Sequence, residues 1–126
     1  MKKSCLIIAL LLGISTSFAS NNTYKISCGG TEPFWSLKID GNFITYKSQE
    51  ALDDMLYEDA KMIEAAGMSS GVAFQINATA KLGTSNLSLS IIQADGVGCN
   101  DGMSDLTYKY HVLVNLNGIA LYGCCK

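Results

Sequence analysis

The sequence predicts an all-β fold: a small antiparallel barrel or sandwich of seven or eight strands with one short helix, tied by two disulfides. Three observations carry this. Apolar and polar residues alternate at period two along most of the chain, the pattern of half-buried strands. Asp40-Gly41 and Asn117-Gly118 punctuate these runs with hairpin dipeptides, and Pro33 is the sole proline among 126 residues. Once the N-terminal segment is set aside, Cys28, Cys99, Cys124 and Cys125 remain, an even number in a short chain.

At the N-terminus, Lys2 and Lys3 precede an apolar run from Leu6 to Ile14 that ends in small polar residues. That is the pattern of a secretory signal peptide, Met1–Ala19, with Ser17 and Ala19 at the small-residue positions before the cut; cleavage after Ser20 is the alternative. The run is too short and wrongly flanked for a membrane span, so the mature chain is expected to have no transmembrane segment. Cys5 lies before the apolar run, not at a lipid-attachment position after it. The expected product is a periplasmic or secreted single domain over residues 20–126, about 107 residues and enough for one modest core. Without Lys2 and Lys3, seven lysines face eleven acids, a net charge of about −4. There is no arginine and no basic cluster, which excludes a nucleic-acid interface.

The mature chain then reads as strands between turns. Tyr24, Ile26 and Cys28 share one side of Asn22–Cys28, and a turn is expected at Gly29-Gly30. Trp35, Leu37 and Ile39 alternate with Ser36 and Lys38, and Asp40-Gly41 signals a type I′ hairpin returning through Asn42–Ser48. From Gln49 to Ala66 the pattern shifts: Leu52, Met55, Leu56, Met62 and Ile63 partly follow helical spacing. The reading there is a short helix or turn near Ala51–Tyr57 and a strand near Ala60–Ala66, the alternative being one helix to Ala66 ended by Gly67. Phe74, Ile76, Ala78 and Ala80 share one face of Val72–Lys81. Leu87, Leu89 and Ile91 share one face of Asn86–Ala94, making a hairpin across Leu82–Ser85. A loop over Asp95–Asp105 leads to Tyr108, Tyr110, Val112, Val114 and Leu116 at strict period two. Asn117-Gly118 is a second type I′ signal, and Ile119–Cys125 closes the chain.

Four cysteines allow three pairings. One joins Cys124 to Cys125 and strains the peptide between them. On a strand, neighbouring side chains point to opposite faces, so the vicinal cysteines should reach different partners. The expected bridges are Cys99 with Cys124 and Cys28 with Cys125. A redox dithiol is the rival reading, but no C-x-x-C occurs.

Two segments concentrate chemistry. In Gly30–Trp35, Pro33 fixes its own φ and pushes Glu32 toward extended backbone, so GTEPFW reads as a rigid lead into a strand with Trp35 as a core plug. In Cys99–Asp105, CNDGMSD, the carboxylates of Asp101 and Asp105 could meet a hard cation. The competing reading is that they cap turns while Gly102 takes positive φ, and EF-hand spacing is absent. Met103 with His111, the only histidine, is a poor soft-metal site because alternation places His111 opposite the apolar stripe. No metal, cofactor or catalytic residue is therefore assigned. Glu32, Trp35, Asp101, Met103, Asp105 and Tyr108 form the candidate binding or structural rim.

GTEPFW, CNDGMSDLTY and the terminal Gly123-Cys124 together resemble a family of small exported bacterial proteins, often lipid-anchored, marked by GTEPFW, CSDGMSD with a tyrosine soon after, and a closing Gly-Cys. The resemblance spans nearly all of the mature chain and brings no assigned activity. This chain departs from it in Asn100, where serine is common, and in lacking a lipobox cysteine. In plan that family is similar to the periplasmic barrels that inhibit lysozymes, which use a Ser-Gly-x-x-Tyr loop and a later lysine. Ser70-Gly71-Val72-Ala73-Phe74 and Lys81 give a loose echo of that pattern.

The expectation is a monomeric, non-enzymatic binding module of the bacterial envelope, in the manner of a lysozyme inhibitor, whose partner is a protein or another envelope component. The alternatives are a structural or stress-related envelope protein without a dedicated ligand, and a small hydrolase or metal protein using the acidic loop.

Overall fold

The computed structural model describes residues 24–126, so the expected signal peptide lies outside the described residues. Ten strands follow in chain order: β1 Lys25–Thr31, β2 Phe34–Asp40, β3 Phe43–Ser48, β4 Met55–Glu64, β5 Ala73–Ala80, β6 Asn86–Gln93, β7 Cys99–Asn100, β8 Thr107–Tyr108, β9 Tyr110–Leu116 and β10 Ile119–Cys125. Eight of them close an antiparallel barrel in the cyclic order β1-β2-β3-β4-β5-β6-β9-β10, while β7 and β8 pair separately. Barrel neighbours are sequence neighbours except β6 and β9, between which residues 94–109 form an excursion. Among the described residues no helix is long and apolar enough to cross a membrane.

The alternation read from the sequence becomes the inside of the barrel. Leu37, Ile39, Ile44, Ile76, Leu87, Leu89, Ile91, Val112 and Val114 are buried on successive strands, with Trp35, Tyr46, Tyr57 and Phe74 filling the remaining width. An eight-stranded barrel is just wide enough for such side chains to fill it. Full burial of a residue such as Leu89 or Ile91 contributes about 2 kcal/mol. The core holds no buried charged residue among those described, which directs attention to the loops.

The expected short helix near Ala51–Tyr57 is absent. Residues 49–54 form bends, and one long strand, β4, replaces both the helix and the separate strand near Ala60–Ala66. The cause is a bulge: pairing with β5 shifts register between Glu58 and Lys61, and Asp59 adopts φ 54°. An extra residue reverses which side chains face inward. Met55 and Tyr57 face the core before the bulge, and Ala60 and Met62 after it. A strand whose parity flips midway imitates helical spacing.

Three turn readings also change. Gly29 and Gly30 are strand residues of β1, and the chain reverses instead at Glu32-Pro33, whose peptide is cis. The β2–β3 loop centres on Gly41-Asn42 between the paired Asp40 and Phe43. Positive φ falls on Gly41 alone, which fits type II′ and not the expected type I′. Tyr108 belongs not to β9 but to the small β7–β8 ladder, opposite Cys99. By contrast, Asn117 and Gly118 both carry positive φ, as a type I′ turn requires.

Both expected disulfides are present, Cys28–Cys125 and Cys99–Cys124. Cys28 and Cys125 face each other directly across β1 and β10, with Cα atoms 4.0 Å apart, and belong to the core cluster. Cys124 points to the other face of the same strand and holds Cys99. One bridge therefore closes the barrel from within, while the other fastens the 94–109 excursion to its outside.

Candidate functional site

The excursion is shaped by its own short polar side chains. The Asn100 carboxamide donates to the Ser104 and Leu106 carbonyls at 2.9 and 3.3 Å and accepts from Gly102 N at 2.7 Å. Asp101 Oδ1 accepts from Met103 N at 2.9 Å, and Gly102 sits at φ 80°. These are Asx turns, which compete with regular structure by bonding nearby backbone. The turn-capping expectation therefore holds for Asp101 and Gly102. Asp105 shows no such bond; Ser104 Oγ accepts from Leu106 N at 3.3 Å instead.

The same loop reaches the β1–β2 turn. Thr31 Oγ1 donates to the Asp101 carbonyl at 3.0 Å, joining residues seventy positions apart. Around this bond lies a surface groove with two lobes. One, about 290 Å³, runs along the outside of β1 and is lined by Ser27, Thr31, Phe34, Asp101, Met103, Tyr108, Cys124 and Lys126, among others. The second, about 420 Å³, takes in Thr31, Glu32, Phe34, Asp101, Met103, Tyr122 and Gly123. Met103 is 62% exposed and Phe34 40%, so the groove presents apolar surface beside two carboxylates.

Trp35 forms the floor from inside. It is buried, and its indole stacks with Tyr46 at a centroid distance of 6.4 Å. A Cβ on Gly30 would collide with Trp35 Nε1, and one on Gly123 would lie 2.7 Å from the indole ring. Glycine at both positions lets the two strands close over the ring, which explains Gly30 and Gly123 by close approach and not by a turn.

Of the six expected rim residues, Glu32, Asp101, Met103 and Tyr108 line the groove, and Trp35 supports it from within. Asp105 lines neither lobe. Glu32 makes no hydrogen bond among the described residues, and Thr31 ties the turn to the loop. Sequence reasoning missed Thr31, Phe34, Lys126 and Tyr122. For Tyr122 a signal existed, because alternation on the last strand sends it outward beside Cys124.

His111 lies outside the groove lining, on the outer face of the barrel. Its Nδ1 is 2.8 Å from the Tyr122 hydroxyl, with the rings stacked at 6.1 Å. The Tyr122 hydroxyl is also 3.6 Å from the Cys99 sulfur, so this pair braces the loop's anchor. Among the described residues no three His, Cys, Asp or Glu side chains group as metal ligands. Ser70 and Gly71 bond Glu64 at one end of β5, while Lys81 follows its other end. The echo of the inhibitor motif thus has no common surface here.

Comparison with protein-family models, with characterised proteins and with solved structures returns no match.

Proposed function

We propose that this protein is an exported, non-enzymatic binding module of the bacterial envelope that recognises a partner through the groove between the 31–34 turn and the 99–105 loop. The observation that carries this reading is the convergence of the two marked sequence segments through Thr31 and Asp101, with Phe34 and Met103 left exposed around it. A segment that served only to close the barrel would bury its apolar side chains. Two disulfides support an oxidising compartment, periplasmic or extracellular.

Binding is favoured over hydrolysis by the state of the carboxylates. Glu32 and Asp101 line the same lobe, but Asp101 Oδ1 is held as the acceptor of Met103 N in a local turn and Asp105 lines neither lobe, so these carboxylates read as turn and rim groups and not as an acid–base pair. The partner is a protein or other envelope component; a cell-wall hydrolase of the lysozyme type falls within this reading. Pull-down from envelope extracts with the native protein and with Phe34→Ala/Met103→Lys is the test. A component captured by the native protein and lost from the variant is the expected result. Equal capture by both would refute the groove as the binding site, and lysozyme inhibition assays identify the hydrolase case.

A further inference from the structure

We propose that the barrel mouth between the β2–β3 turn and the second half of β4 is a pocket for a small, uncharged, mainly aliphatic molecule, a site separate from the groove. The β3–β4 ladder runs from Tyr46↔Met55 to Ile44↔Tyr57, and one further bond joins Ala60 N to the Asn42 carbonyl at 3.0 Å. The β4–β5 ladder continues through Lys61↔Asn77 to Glu64↔Phe74, so the β4–β5 hairpin overhangs the shorter β2–β3 hairpin. A void of about 340 Å³ occupies this step.

The bulge at Asp59 shapes it. The extra residue turns Ala60 and Met62 inward, where with Ile39 and Ile76 they make an aliphatic floor. At the opposite end of the same strands, Trp35, Tyr46 and Tyr57 fill the barrel's width with rings. The floor residues here carry no ring, and Ala60 leaves the space that a larger side chain would take. An eight-stranded barrel holds either side chains or one small ligand, and the mouths of barrels are recurrent ligand sites, of roughly 300–1,000 Å³.

The floor calls for an aliphatic body. With each methylene displacing about one water of ~30 Å³, the void has room for a chain of roughly eight carbons and its head. The rim calls for one polar head. Tyr24 is fixed there because its carbonyl accepts from Gly41 N at 2.9 Å, and Asn42 stands beside it. Ala65 N donates to the Ala73 carbonyl, so by antiparallel alternation Ile63 and Lys61 bond toward β5, while the Met62 N–H and C=O turn to the side where β3 has ended. These neutral groups suit a hydroxyl or an amide. Charges of both signs surround the rim, Lys61 two residues after Asp59 and Asp40 beside Gly41, so no single-sign field selects an ion. The residues ahead of Tyr24, Ser20-Asn21-Asn22-Thr23, are polar and do not match the floor.

The test titrates 1-octanol into the disulfide-bonded protein and follows backbone amide chemical shifts. Saturable shifts should concentrate at Tyr24, Asn42, Ala60, Met62 and Ile76. 1-Hexanol, two methylenes shorter, should bind about fifteenfold more weakly, and octanoate and octylammonium each about tenfold more weakly than the alcohol. Ala60→Leu fills the void and should abolish the shifts while keeping the native amide spectrum. If that variant does not fold, the shift map and the chain-length series of the native protein decide. Phe34→Ala/Met103→Lys should bind octanol as the native protein does, so failure of the groove and failure of this pocket are read separately. Shifts centred elsewhere, indifference to chain length, equal binding of either ion, or unchanged binding by Ala60→Leu would each overturn the pocket, as would the absence of any saturable shift. Nuclear Overhauser contacts from Ser20–Thr23 to Met62 in the free protein would show that the chain's own residues fill the mouth, and would equally overturn it.

Discussion

The Trp35 indole occupies the space that a side chain at Gly123 would need: an added Cβ would lie 2.7 Å from the ring and would also collide with the Gly29 carbonyl. The two residues sit in separate sequence motifs, and this packing makes them one structural unit at the barrel seam. Gly123→Ala is expected to destabilise the protein by about 1–3 kcal/mol through overpacking, and Trp35→Leu by a similar amount through lost burial. Removing the indole relieves one of the alanine methyl's two clashes, leaving the one with the Gly29 carbonyl, so the double variant should cost less than the sum of the singles. Urea titrations of the four proteins check this, and simple additivity would contradict it.

The disulfides should separate by role. Cys28–Cys125 spans 97 positions and Cys99–Cys124 spans 25. On loop entropy their removal costs about 4.7 and about 3.5 kcal/mol. Cys99→Ala/Cys124→Ala should leave the barrel folded and expose residues 94–109 to limited proteolysis. Cys28→Ala/Cys125→Ala should instead lower the unfolding midpoint of the whole domain. Early cleavage elsewhere in the first variant would contradict this division.

Asp59 holds φ 54° at the β4 bulge, in a region that favours glycine. Asp59→Gly should stabilise the protein by about 0.5–1 kcal/mol and Asp59→Val should destabilise it, both read by thermal unfolding. Equal effects of the two would show that the bulge does not depend on this backbone conformation.

Tyr46 supplies a pH dependence. Burial raises its pKa above 10.0, assisted by the neighbouring Tyr57 and opposed by a Ser48 hydrogen bond. The unfolded chain thus releases this proton more readily than the folded one. Its contribution to stability is complete below about pH 10 and is lost as pH rises through the folded value. Tyr46→Phe should flatten the alkaline decline of stability, and an unchanged slope would contradict the assignment.

Most of the barrel was legible because strands buried on one face write their geometry at period two. Leu87, Leu89 and Ile91, or Val112 and Val114, could be placed from pattern alone. The vicinal Cys124 and Cys125 gave the disulfide pairing by the same alternation. Residues 49–66 were misread because the bulge at Asp59 reverses parity, and nothing local in the sequence marks a bulge. Gly29 and Gly30 were misread because glycine serves both turns and close packing, and what they pack against, the Trp35 carbonyl for Gly29 and the Trp35 ring for Gly30, comes from another strand. At the site, Asp101 and Gly102 were readable as a local turn. The Thr31–Asp101 bond depends on barrel closure, which no short segment encodes.

Whether the groove is a recognition surface is most directly tested by site-specific photocrosslinking in intact cells, with a photoreactive residue replacing Met103 in the groove and, as a control, Leu82 in the exposed β5–β6 loop. We expect a discrete crosslinked species from Met103 and none from Leu82. No crosslink at Met103, or the same species from both positions, would contradict a binding role for this groove.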